Sequence, residues 1–102
     1  NIVGHWEGAF TRFGAAQAVA LDIQATDSGL VGTYDIPDLV LYSEPLKELT
    51  YLADTLTFGL FWGKYTCLVF NDIGEITGEN LNWGPPVSVH LRRALKQDLY
   101  RV

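Results

Sequence analysis

Leu56-Thr57-Phe58-Gly59-Leu60-Phe61-Trp62-Gly63-Lys64-Tyr65-Thr66-Cys67-Leu68-Val69-Phe70 reads as two strands of alternating character folded about a tight turn. Trp62-Gly63-Lys64-Tyr65 supplies a two-residue loop with glycine first, which suits a type II′ hairpin. That turn pairs Trp62 with Tyr65, Leu60 with Cys67 and Phe58 with Val69, and puts all six side chains on one face. The pairs Phe61–Thr66 and Thr57–Phe70 then face the other way. A one-residue slip inverts every side chain, so the agreement of both strands supports the pattern.

Turn signals recur on either side of this unit: Phe13-Gly14-Ala15, Asp27-Ser28-Gly29, Pro37-Asp38, Ala53-Asp54, Asn71-Asp72-Ile73-Gly74 and Gly84-Pro85-Pro86. Short alternating runs between such turns predict an all-β fold, a barrel or tight sandwich. About eight strands are expected, over 3–13, 17–26, 30–36, 46–52, 55–62, 65–71, 75–83 and 87–93. Alternation makes Trp6, Gly8, Phe10, Val19, Leu21, Ile23, Tyr34, Leu49, Tyr51, Leu56, Ile76, Gly78, Val87, Val89 and Leu91 inward. Glycines inside strands mark bends or close backbone crossings. Leu39-Val40-Leu41-Tyr42 is expected to be an apolar stretch within a loop from Pro37 to Pro45. Leu95, Leu99 and Val102 have helical spacing, so 94–102 is a tail or a short helix.

The chain has 102 residues, 48% of them hydrophobic and 13% aromatic, which suits one domain with its own core. A net charge of −5 argues against nucleic acid and against an anionic membrane surface. No apolar run has the length of a membrane-spanning helix. Cys67 is the single cysteine, so no internal disulfide forms, and its inward position favours an inert thiol. No signal peptide is visible, and a start at Asn1 without methionine suits a mature product or an excised domain.

His5 and His90 are the near-neutral acid–base groups. His5 with Glu7, and Ser88 with His90, face outward on the first and last strands. Those strands are neighbours in a closed barrel, so a His–His–Glu cluster is one reading and solvated surface the other. Neither a metal site nor a serine nucleophile is favoured, for want of ligands and of an oxyanion loop. Asp35, Asp38 and Glu44 read as solvated loop charges. No catalytic residue, metal ligand or cofactor is expected.

Two groups of residues are left for binding. Asn80 and Asn82 fall on the inward face, and buried amides need partners. With Tyr34, Tyr42 and Tyr65 they are the candidate lining of a pocket for a small apolar ligand at the barrel mouth. Phe61, Leu68, Phe70, Leu81 and Trp83 face outward from three consecutive strands. A contiguous apolar patch marks an interface, so a protein partner or a homodimer is the favoured reading.

Gly4-His5-Trp6-Glu7-Gly8-Ala9-Phe10 resembles the G-x-W-x-G opening of lipocalin-like bacterial domains. Leu30-Val31-Gly32-Thr33-Tyr34-Asp35-Ile36-Pro37-Asp38, Pro45 to Tyr51, Asp54 to Phe58, Gly74 to Gly78 and Val87 to Arg93 are similar to successive strands of the same family. The resemblance spans residues 2–93. It implies an eight-stranded antiparallel up-and-down β-barrel, lipocalin-like or calycin-like. Such domains commonly precede an α/β-hydrolase or other serine-hydrolase domain in exported bacterial proteins, as accessory parts without catalytic residues. Asn80 stands where that family often has tryptophan. The resemblance therefore implies a non-catalytic accessory domain, exported or periplasmic.

Overall fold

The computed structural model describes residues 1–60, 63–80 and 86–94. They form nine strands: β1 (Gly4–Arg12), β2 (Ala15–Thr26), β3 (Gly29–Ile36), β4 (Leu41–Pro45), β5 (Lys47–Leu52), β6 (Thr55–Leu60), β7 (Gly63–Phe70), β8 (Glu75–Asn80) and β9 (Val87–Arg93). A 3-10 turn spans Pro37–Leu39. All pairings are antiparallel, in the order β4-β3-β2-β1-β9-β8-β7-β6-β5, and the sheet curls into a nearly closed barrel.

Nine strands do not close an antiparallel barrel, because opposite directions require an even count. The direction of each strand resolves this. β4 runs antiparallel to β3, and β5 antiparallel to β6, so β4 and β5 run the same way. They are two halves of one interrupted strand in an eight-way up-and-down meander. At the joint, Leu46 N–H donates to the Gly32 carbonyl at 2.9 Å, which ties the interruption back to β3.

The apolar stretch expected as a loop is thus partly strand: Leu41 and Tyr42 open β4. Asp35 explains this. Its carboxylate, buried on β3, accepts the Ser43 N–H at 2.6 Å, and the β3–β4 register shifts at the same place. Pro45 is tolerated because β4 is a sheet edge.

The central hairpin keeps its expected faces but not its expected register. Phe58 pairs with Tyr65, not Val69; Leu56 pairs with Cys67; the ladder runs to Leu60↔Gly63. The shift is four residues, an even number, so Leu56, Phe58, Leu60, Tyr65, Cys67 and Val69 all remain buried. Gly63 opens β7 and has Asn80 directly against it: a side-chain carbon there would collide with the Asn80 amide. The expected positions of Phe61 and Trp62 lie outside the described residues.

β1 pairs with β9, as barrel closure demands. Gly8 makes this possible. A side-chain carbon at Gly8 would overlap the His90 carbonyl oxygen and come within 2.8 Å of Leu91 Cα. Gly78 does the same between β8 and β7, where Cys67 Cα would lie at 2.7 Å. These are the close crossings that strand glycines mark.

Side chains fill the interior. Trp6, Tyr65, Phe58, Leu21, Ile23, Leu56, Ile76 and Leu91 are fully buried. An eight-stranded barrel is just wide enough for such filling. Tyr65 stacks between Phe10 and Phe58, with ring centroids 4.9 and 5.4 Å away. At the end where β1 begins, Ile2 is buried and its carbonyl accepts the Trp6 indole N–H at 3.0 Å. The Arg93 guanidinium lies 4.2 Å from the Trp6 ring and donates to the carbonyls of Val3 and Asn1. That end is plugged. The tail or short helix expected over 94–102 lies, beyond Ala94, outside the described residues.

Gly8→Ala is expected to destabilise the fold by about 3 kcal/mol or more, because the obstacle is backbone and cannot swing aside. The exposed Ala16→Ser serves as the control and should stay within about 0.5 kcal/mol. Urea denaturation of both variants checks the difference.

Candidate functional site

The residues singled out for a pocket are dispersed. Tyr65, in the ring stack, and Tyr34 are buried in the interior. Burial raises the Tyr34 phenol pKa, and the Glu44 charge, paired across from it on β4, adds to the rise. Asn80 is buried against Gly63. Tyr42 is exposed on β4. Asn82 lies outside the described residues. Of three open clefts among the described residues, none brings two of these together, and Tyr65 alone lines one of them.

An open cavity of about 510 Å³ does lie at the mouth where β1 ends. Phe10, Tyr65 and Val87 line it from the barrel, and Arg12, Phe13, Gln17, Asp38 and Leu39 from the rim. Only Tyr65 is shared with the expected lining. The hairpin Arg12-Phe13-Gly14-Ala15 had the turn signal that could have pointed here, since a turn at the end of the first strand borders the mouth.

On the outside, Leu68 and Phe70 are exposed on β7, while Phe61, Leu81 and Trp83 lie outside the described residues. The ladder extends this patch in a direction the alternation did not suggest. Leu52 pairs with Thr55, and Thr55 with Leu68, so Leu52 and Leu68 flank one row of the outer face. Leu52 is 80% exposed, and Ile73, in the turn just after Phe70, is exposed too. The four apolar residues form a strip at the plugged end.

The polar residues form a different cluster from the one considered. His5 sits between two carboxylates: Nδ1 lies 2.7 Å from Asp22 Oδ1, and Nε2 lies 2.6 Å from Glu7 Oε2. His90 instead faces Glu75 at 3.4 Å. Asp22 was missed, yet the two-residue turn at Phe13-Gly14 sets His5 opposite Asp22. Two carboxylates around one ring favour its protonated form, in which both nitrogens donate. Burial opposes that charge. The hydrogen bonds and charges of Glu7 and Asp22 outweigh it and raise the pKa above its ordinary 6.5. Arg92 on β9 pairs across from Glu7. In that form both ring nitrogens are engaged by carboxylates. Among the described residues no three His, Cys, Asp or Glu side chains are placed to hold a metal ion.

Cys67 is buried, and burial pushes its thiol pKa up to about 12. That leaves almost no thiolate near neutral pH. No helix is long and apolar enough to cross a membrane among the described residues.

No family model, no curated protein and no solved structure matches this chain.

The His5 clamp predicts a pH dependence of stability. The folded pKa lies above the unfolded one, so the contribution is complete below about pH 6.5 and is lost as pH rises through the folded value. Urea midpoints should therefore fall on the alkaline side. His5→Gln should flatten that slope and cost about 1–3 kcal/mol at low pH, where Asp22 and Glu7 lose their shared cation. A slope unchanged in His5→Gln contradicts the assignment.

Proposed function

We propose that this barrel is a non-catalytic interaction domain that pairs with a second copy of itself through the strip Leu52, Leu68, Phe70 and Ile73. The exposure of these four apolar side chains toward one end of the barrel carries the reading. Scattered exposed apolar residues need no explanation, but neighbouring ones on one surface mark an interface. A two-fold axis through the strip buries both copies of it, the self-complementary arrangement of a closed dimer.

A non-catalytic role is supported by the state of the reactive groups: His5 is held by two carboxylates and Cys67 is buried and protonated. A lipocalin-like accessory barrel is part of the same proposal. The up-and-down strand order and the place of Trp6, at the core of the first strand within Gly4-x-Trp6-x-Gly8, support it. In that setting the strip would alternatively dock on a separate catalytic domain.

Sedimentation velocity across a concentration series tests the proposal. A dimer is expected, and Leu52→Ser with Leu68→Ser should shift it to monomer. Both positions are exposed, so each change should alter monomer stability by only about 0.5 kcal/mol. A chain that remains monomeric at millimolar concentration overturns self-association.

A further inference from the structure

We infer that the rim at the open end of the barrel docks on the surface of a neutral phospholipid bilayer, with Phe13, Leu39 and Val40 entering the boundary between headgroups and acyl chains. The rim lies at the opposite end from the strip of Leu52, Leu68, Phe70 and Ile73, so docking there is independent of self-association.

The sequence places bulky apolar residues in turns, where short polar residues are the rule: Phe13 between β1 and β2, and Leu39 with Val40 between β3 and β4. β1 and β3 both run antiparallel to β2, so the two turns lie at one end of the barrel. Phe13 and Leu39 border one cleft there. Phe13 is 80% exposed, Val40 78% and Leu39 46%, and Tyr42, just beyond, is 49% exposed. None of the four belongs to the core.

Exposure this high means that the side chains of Phe13 and Val40 stand out from the barrel. A protein partner is met by a close-packed patch. Separate tips projecting from two turns suit a phase that deforms around them. Apolar side chains bind an interface by sinking into the boundary between headgroups and acyl chains. Tyrosine is favoured at the same level, because its ring is apolar and its hydroxyl is wet.

Charge is distributed to match. Arg12 and Asp38 both border the cleft between the two turns, and their formal charges cancel. The Arg12 guanidinium lies 5.4 Å from the Phe13 ring centroid. As that ring sinks, a long basic side chain beside it keeps its charged head at the level of the phosphates. Asp38 is then left to meet the choline cation. One cation and one anion thus complement a zwitterionic headgroup. The turns at the other end carry Asp27, Asp54 and Asp72 and no basic residue, and in this orientation they face away from the bilayer. The net charge of −5 argues against an anionic surface and is no obstacle to a neutral one.

Flotation of the full chain with phosphatidylcholine vesicles tests the inference. The chain is expected to float with the vesicles at millimolar lipid. Phe13→Ser with Val40→Ser should weaken that partition at least about tenfold, the minimum for losing one large buried side chain. Both positions are exposed, so the melting temperature of the double variant should stay within about 3 °C of the parent. Vesicles of phosphatidylglycerol should bind more weakly, because they repel Asp38 and the net charge and lack the choline cation. Leu52→Ser with Leu68→Ser, at the far end, should retain flotation. The inference is overturned if the chain fails to float at millimolar phosphatidylcholine, if the Phe13 and Val40 double variant floats as well as the parent, if phosphatidylglycerol is bound more tightly, or if the Leu52 and Leu68 double variant no longer floats. A change in the sedimentation coefficient of the rim variant without lipid overturns it too, and assigns the rim to a contact between copies.

Discussion

Gly8 on β1 and the backbone of His90 and Leu91 on β9 lie so close that no side-chain carbon fits between them. That contact joins the first strand to the last, and the barrel depends on it. With β1 and β9 paired, a sheet that would otherwise expose two long edges leaves β4 and β5 as its ends. Trp6 lies directly across from Arg93 on the same ladder. The guanidinium covers the indole, Ile2 fills the space beneath, and the carbonyls of residues 1 to 3 are consumed as acceptors. Closure and the plug are consequences of one pairing.

The two ends of the barrel consequently have different properties. One end is stoppered by Ile2, Trp6 and Arg93, and carries its apolar surface on the outside in Leu52, Leu68, Phe70 and Ile73. The other keeps an open cavity whose rim residues occupy unfavourable backbone conformations. Left-handed backbone outside glycine occurs at both ends, at Phe13 and Val40 and at Ala53 and Asp54.

The polar groups follow the same economy of position. Asn80 and Asp35 are buried but placed against Gly63 and the Ser43 amide, where they set the hairpin register and the start of β4. His5 lies on the outer face, yet its side chain is only 9% exposed and saturated by Asp22 and Glu7. Such a clamp couples the β1–β2 ladder to protonation.

The alternation of apolar and polar residues by itself determined that the chain is all-β, a barrel or tight sandwich, and it identified most of the core, from Trp6 and Phe10 through Tyr65 and Cys67 to Leu91. Period-two patterning is a local property, and burial acts on each strand separately. Only the tertiary structure decided the register of the central hairpin, because a four-residue shift leaves every face unchanged and alternation cannot distinguish the two. In the register the chain adopts, Gly63 and Asn80, from different strands, lie against one another. The interruption between β4 and β5 was equally illegible, since it depends on Asp35 and Gly32 reaching Ser43 and Leu46 across the seam. The strip beside Leu68 and the mouth beside Arg12 are likewise products of which strands lie side by side, and that adjacency exists only once the barrel has closed.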